Sequence, residues 1–272
     1  MTDPAEPGGP MAELMAPAKL TLSLSVTGVR PDGYHLLEAE MVTLDLADTL
    51  TVSAGDRLTV VADLPEGTSS IPTGPDNLVS RALRAVGRTA SVRLTKRIPP
   101  GSGLGGGSAD AAAILRWAGR TDPALAAGLG ADVPFCVRGG RAMVRGIGEA
   151  VEELPFEPRS FVLALLPFGV DTAAVYRAWD QLAGDGAAGP SDPRPGGGNA
   201  LEPAALVVEP RLGSWCRRLH EVTGVRPQLA GSGSTWFVAG VPEALGIAGR
   251  STLQLGDESA LLVPVRTTPA LQ

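Results

Sequence analysis

The stretch PPGSGLGGGSADAAAIL, Pro99 to Leu115, holds five glycines within seven positions and then turns into an alanine-rich run. Glycine loses more backbone freedom on folding than any other residue, so a loop that uses Gly101, Gly103, Gly105, Gly106 and Gly107 needs a reason for them. The order strand, glycine loop, helix supplies one. The free N–H groups at a helix N-terminus, together with the helix dipole, bind anions and above all phosphate. Glycines permit positive φ and put no Cβ between the backbone and the ligand. Ser108 and Asp110 fall at the expected helix start, where small polar residues cap best, and the Ser108 hydroxyl is placed to reach a phosphate or its magnesium. No lysine follows the glycines, so this is not the G-x-x-x-x-G-K-S/T loop. Gly101, Gly103 and Gly106 match G-x-G-x-x-G, but no N-terminal βαβ unit accompanies them to make a dinucleotide-binding fold.

The elements that must carry this loop are mixed. KLTLSLSVTGV (Lys19 to Val29) places Leu20, Leu22, Leu24 and Val26 alternately with Thr21, Ser23 and Ser25, which predicts a strand with one apolar face. RPDGYH then supplies turn chemistry. EAEMVTLDL, DTLTVSAG and RLTVVADL read as three further strands, and NLVSRALRAVGR (Asn77 to Arg88) as a short amphipathic helix. SVRLTKRI is a strand feeding the glycine loop, and SADAAAILRWAGR is the helix after it. RAMVRGIGEAVEEL reads as a strand pair and FVLALLP as a buried strand. EPAALVVEP and RLGSWCRRLHEVTG read as helices, RPQLAGSGSTWFVAG as strand-like, and the C-terminal region as a final helix and a strand around LLVPVRT.

The chain has 272 residues, 44% hydrophobic and 19% charged, which is a globular profile. A net charge of -6 argues against nonspecific nucleic-acid binding. Cys136 and Cys216 lack disulfide or metal spacing and read as reduced thiols. FVLALLPFGV is too short to span a membrane, and the N-terminus lacks the basic start and apolar run of a signal peptide. A cytoplasmic protein with a small-molecule substrate is therefore expected, with no nucleic-acid or membrane partner, as a monomer or homodimer.

PPGSGLGGGSADAAA resembles the second motif of the GHMP kinases (galactose, homoserine, mevalonate and phosphomevalonate kinases). APAKLTLSLSVTGVRPDGYH resembles the first motif, and LAGSGSTWFVAG (Leu229 to Gly240) the third, in the family's order. The resemblance implies an α+β, two-domain GHMP kinase fold with the active site in the inter-domain cleft. The expected division is a disordered tail over 1–14, an N-terminal domain over 15–155, and a C-terminal domain over 156–272 with a flexible loop at 183–198. It also implies ATP with Mg2+ as phosphoryl donor. AK…GVRPDGYH and LGADVPF are most similar to the branch that phosphorylates the 2-hydroxyl of a cytidine-diphosphate-linked methylerythritol in a non-mevalonate isoprenoid route. Homoserine or a mevalonate-type alcohol is the alternative acceptor.

The resemblance assigns roles residue by residue. Asp132, in LGADVPF, matches the catalytic aspartate, which takes or orients the hydroxyl proton. Lys19 matches its partner lysine, which stabilises developing charge. Tyr34 and His35 match cytidine-recognition residues. Tyr176 matches an aromatic on the other face of the base, and Thr172 is expected to hydrogen-bond the substrate. Thr21 stands where the family usually has asparagine in contact with substrate. Gly101, Gly103, Leu104, Gly105, Gly106, Gly107 and Ser108 are implied at the ATP phosphates, and Asn77 and Lys96 near adenine. Gly231, Ser232 and Gly233 are expected to close the site. Ala200 replaces a carboxylate common in the family, and the segment between the phosphate helix and Asp132 is shorter than usual.

Overall fold

The computed structural model describes residues 11–64, 71–184 and 198–271. The architecture is α+β. In chain order the first strands are β1 (Ala12–Val29), β2 (His35–Ser53) and β3 (Leu58–Ala62). Then follow α1 (Leu78–Ala85), β4 (Ser91–Lys96), α2 (Gly106–Trp117), α3 (Pro123–Leu129) and α4 (Val133–Arg138). The chain continues through β5 (Arg141–Gly146), β6 (Ala150–Glu153), β7 (Ser160–Leu165), α5 (Thr172–Ala183), α6 (Glu202–Val208) and α7 (Arg211–Thr223). It ends with β8 (Gln228–Leu229), β9 (Trp236–Ala239), β10 (Thr252–Leu255) and β11 (Glu258–Thr268).

The sheet runs in the order β3-β4-β2-β11-β7-β9-β8, with β1 and β5 also on β2, β6 on β5 and β10 on β11. Strand β11 is the bridge. It pairs along β7 and then reaches β2 through Thr267 opposite Leu44 and Thr268 opposite Thr43. A chain segment from the C-terminus thus ties late strands to early ones.

Several expectations change. The expected tail lies outside the described residues up to position 10, and Ala12 to Leu14 already belong to β1, paired with Val52 to Leu50. Two predicted strands, EAEMVTLDL and DTLTVSAG, are one 19-residue strand, β2, which pairs with β1 on both sides of a register shift and with β11 at Leu44. The predicted final helix is absent: residues 242–249 form turns, and β10 and β11 follow as a hairpin. The predicted flexible loop lies mostly outside the described residues, at 185–197, and its first residue ends α5.

Strand β1 does not keep one apolar face. Its register against β2 shifts between Pro17 and Lys19 and again between Thr21 and Ser23. A bulge of this kind re-aims the side chains that follow it. Leu20 and the half-buried Leu22 pack into a small core with Ala18, Leu163, Phe237 and Val265. Leu24 and Val26 instead join the main core, which also takes the apolar faces of α1, α2, α4, α5, α6 and α7. Lys19 and Thr21, which point opposite to Leu20, are themselves buried. Both faces of β1 are covered at this point, so a lysine is enclosed beside the glycine loop.

Candidate active site

The glycine loop is stitched to three other segments by its backbone. Leu104 O accepts from Lys19 N at 3.0 Å. Gly101 O accepts from Val170 N at 3.0 Å and from Ser234 N at 3.0 Å, and Ser102 O accepts from Thr235 N at 3.1 Å. The first and third motifs are therefore locked onto the second. Two glycines are needed for this approach. Gly103 has φ +78°, and a Cβ there would lie 2.0 Å from Ala230 O. Gly105 has φ +69°, and a Cβ there would lie 2.8 Å from Lys19 Cγ.

The N-cap of α2 is Gly105 and no side chain caps the helix, so Ser108 and Asp110 are not caps as expected. The first N–H groups of an α-helix have no intrahelical partner. Here they are left without a side-chain acceptor either, at the edge of a cavity of about 480 Å³. Lys19, Thr21, Lys96, Gly101, Gly103, Gly105, Gly106, Gly107, Ser108, Asp132, Thr172, Tyr176, Gly231 and Ser232 line that cavity, as does Asn77. Leu104 is fully buried below the loop in the small core, and Gly233 backs it with N donating to Ala230 O at 2.9 Å.

Asp132 and Lys19 meet. Lys19 Nζ lies 3.4 Å from Asp132 Oδ2 and donates to Thr21 Oγ1 at 3.0 Å. The lysine side chain is 6% exposed and the aspartate 30%, so the pair is buried on the lysine side and open on the carboxylate side. Asp132 stands just before α4 and makes no capping hydrogen bond, which leaves its carboxylate free toward the cavity. Behind it, burial pushes the Cys136 thiol far up, with the Asp132 charge adding to the shift.

Lys96 lines the cavity, but its ammonium is committed elsewhere. It donates to Asp110 Oδ2 at 2.7 Å and to Asp48 Oδ2. Asp48 is fully buried, and its Oδ1 also accepts from Arg97 N at 2.5 Å and Ile98 N at 2.9 Å. Burial alone would lower the Lys96 pKa, but Asp110 and Asp48 outweigh it and raise it. Burial raises Asp110, against the pull of Lys96 and with the push of Asp48. Asp110 Oδ1 has no hydrogen-bond partner among the described residues. Asn77 is likewise engaged: its Oδ1 accepts from Val79 N at 2.8 Å as the N-cap of α1, and its Nδ2 donates to Pro72 O at 2.7 Å.

A second cavity of about 750 Å³ adjoins the first, sharing Leu37, Ala131, Thr172 and Tyr176 with it. Tyr34 and His35 line it from the β1–β2 turn, and Thr172, Tyr176 and Asp180 from α5. Residues four apart share a helix face, so α5 presents these three as one stripe. Its start is fixed by Asp171, whose Oδ1 accepts from Ala174 N at 2.5 Å. The His35 ring stacks on Tyr176 with centroids 4.7 Å apart and meets Trp179 edge-on at 5.4 Å. Tyr34 is 59% exposed at the cavity rim, with the Arg30 guanidinium 6.0 Å over its ring. The Thr172 and Ser232 hydroxyls share a hydrogen bond of 2.8 Å across the cleft. Burial and the Asp132 charge push the Tyr176 phenol upward.

The residues thus fall on one continuous trough with an uncapped helix start at one end, a Lys–Asp pair in the middle and an aromatic end. A larger hollow than the glycine-loop cavity, about 620 Å³, opens around Leu22, Arg159 and Phe237 and contains none of the expected site residues. It lies on the side of β1 away from Lys19, so we assign it no part in the chemistry. Sequence reasoning missed Asp48, Asp180 and Trp179. The stripe Thr172, Tyr176, Asp180 carried a helical signal for the second. Asp48 carried none, since 48 positions separate it from Lys96.

The model of the GHMP kinases N terminal domain matches residues 77–140, which include the glycine loop, α2 and Asp132. The 4-diphosphocytidyl-2-C-methyl-D-erythritol kinase of Pelotomaculum thermopropionicum is 41% identical over 255 residues, aligning 82% of this chain and 87% of that one. This chain belongs to the 4-diphosphocytidyl-2-C-methyl-D-erythritol kinase family. The kinase of the same name from Salinispora tropica is 36% identical, over 90% of this chain and 89% of its own. A crystal structure of a 4-(cytidine 5'-diphospho)-2C-methyl-D-erythritol kinase superposes with a TM-score of 0.69 at 33% identity, covering 94% of this chain and all of the other. The mevalonate kinase of L. major shares only the fold, with 12% identity and a TM-score of 0.62 over 95% of this chain and 96% of its own. A homoserine or mevalonate-type acceptor thus finds only distant structural relatives, whereas the relatives covering most of the chain at higher identity carry the kinase family's name. No helix among the described residues is long and apolar enough to cross a membrane.

Proposed function

We propose that this member of the family transfers the γ-phosphoryl group of Mg-ATP to the 2-hydroxyl of 4-diphosphocytidyl-2-C-methyl-D-erythritol. The observation that carries the reading is the Lys19–Asp132 pair, 3.4 Å apart, set between an uncapped helix start and an aromatic pocket. The trough, between motifs one and two on one side and α5 and motif three on the other, is the cleft in which both substrates meet.

Phosphoryl transfer needs positioning, charge neutralisation and a proton acceptor. The backbone N–H groups of Gly106, Gly107 and Ser108 would hold the triphosphate, since no side chain competes for them. Asn77 and Lys96 would flank the nucleotide by packing, given that their polar ends are engaged. At the acceptor end, Tyr34 and Tyr176 offer ring faces to cytosine and His35 its edge. Thr172, Ser232 and Thr21 sit where the methylerythritol hydroxyls would reach. Asp132 orients the 2-hydroxyl and takes its proton. Lys19 neutralises the oxygen as its electron pair attacks the γ-phosphorus and the bond to the β-bridging oxygen breaks.

Magnesium fits the residues present. No cluster of three acidic, histidine or cysteine side chains exists among the described residues. Mg2+ bound with a nucleotide, however, needs only one or two protein oxygens besides phosphate and water. Asp110 Oδ1 is buried, bare and part of a triad with two carboxylates to one ammonium. Asp110 and Ser108 would hold the ion, which when bound screens the phosphate oxygens. The test is a coupled ADP-release assay with Mg-ATP and four acceptors: the cytidylated alcohol, the same alcohol without cytidine diphosphate, homoserine and mevalonate. Turnover with the first alone supports the reading. Turnover only with a small alcohol overturns the acceptor and keeps the phosphate site.

A further inference from the structure

His35 opens β2, and its imidazole is 10% exposed. Its Nε2 lies 2.7 Å from Asp180 Oδ1 on α5. Tyr176 and Trp179 clamp the ring in place from the same helix. Nδ1 has no hydrogen-bond partner among the described residues, and it is not among the buried polar atoms left without one. His35 lines the second cavity.

A carboxylate only accepts hydrogen bonds, and a neutral imidazole carries one N–H and one lone pair. In the neutral ring, a carboxylate oxygen 2.7 Å from Nε2 therefore places the proton on Nε2. The other nitrogen is then an acceptor. Cytosine presents the N4 amino donor at the position where uracil presents the O4 acceptor. A lone pair on Nδ1 matches the first and repels the second. With the proton on Nδ1 the preference would be reversed.

We propose that Asp180 is a specificity-determining positioning residue: by holding the His35 proton on Nε2, it makes the pocket select cytosine over uracil. This rests on the cytidine reading above. It extends that reading to a residue on the wall of the same cavity, through its bond to His35.

Two measurements on the full-length chain test it. Long-range ¹⁵N–¹H spectra report the protonation of each ring nitrogen, and the chain has only two histidines, His35 and His220, to assign. Wild type should show His35 neutral at pH 7.5 with the proton on Nε2, and Asp180→Ala should show a mixture of tautomers. Calorimetric titration with CDP and with UDP then reads selectivity. A site built around a hydrogen bond rejects the mismatched partner strongly, so the CDP-over-UDP preference should fall about tenfold in Asp180→Ala. With the cytidylated alcohol, KM should rise while kcat stays near wild type. Alanine suits a helix, and a merely structural loss would weaken both nucleotides equally and leave the ratio unchanged. An unchanged ratio, a proton on Nδ1 or a charged His35 in wild type overturns the proposal. Failure of wild type to bind either nucleotide overturns the cytidine reading itself, and the proposal with it. The spectra then still show whether Asp180 sets the tautomer.

Discussion

Replacing Gly103 by alanine tests whether the glycine loop is held by backbone contact rather than merely loose. The added methyl would lie 2.0 Å from Ala230 O, where ordinary contact begins at 3.4 Å, so loop or third motif must move by about 1.4 Å. Neither can move alone, because Gly101 O and Ser102 O are bonded to Ser234 N and Thr235 N on that same motif. The left-handed backbone at φ +78° adds roughly 1–2 kcal/mol for any residue with a Cβ. Overpacking adds roughly 1–3 kcal/mol. A total of about 2–5 kcal/mol lowers Tm by roughly 4–10 °C for a chain of this size. Displacement of catalytic groups by about 1 Å costs on the order of 100-fold in rate. Gly107→Ala is the control. It lies within α2 without positive φ, and its methyl would meet only Leu78 Cδ1 at 3.3 Å. Alanine gains about 1 kcal/mol over glycine in a helix, so this variant should melt at or near the wild-type temperature. Thermal unfolding by circular dichroism and ADP release with Mg-ATP read both effects. Wild-type Tm and turnover in Gly103→Ala would refute the locking of the loop onto Ala230.

Asp132→Ala should fold and bind ATP, since the side chain caps nothing and is partly open, but lose at least ~100-fold in kcat. Near-normal single-turnover rates in that variant would remove Asp132 from the chemistry. Asp110→Asn keeps an oxygen for Lys96 but removes charge beside the proposed ion. The magnesium concentration giving half-maximal rate should rise about tenfold, a one-charge effect at short range, and an unchanged magnesium profile excludes Asp110 as a ligand. Cys136 is buried and burial pushes its thiol upward, so iodoacetamide at pH 8 should label Cys216 and spare Cys136 in the folded chain. Equal labelling of the two, read by peptide mass, would contradict the packing around α4.

The sequence alone determined the three motifs and their order, and through the family resemblance they carry it named the glycine loop, Lys19, Asp132 and the residues around His35 as site candidates. These are local patterns: glycine spacing, a strand before it, a helix after it, and short strings around Lys19, His35 and Asp132. Thr172 and Tyr176 on α5 were also legible, four residues apart, whereas Asp180 one turn further was missed. The fate of the polar ends was not. Lys96 reads as a free charge near the nucleotide until the fold brings Asp48 across from β2 and Asp110 from α2 to either side of it. Ser108 and Asp110 read as caps until Gly105 takes that position. The alternation in β1 reads as one apolar face, and two register shifts set by β2 divide it between two cores. The bond from Asp180 to His35 joins residues 145 positions apart. Spacing along the chain constrains partners within a few residues, since only those share a turn or a pleat. Partners set by strand register and helix packing depend on every intervening element, and only the tertiary structure decides them.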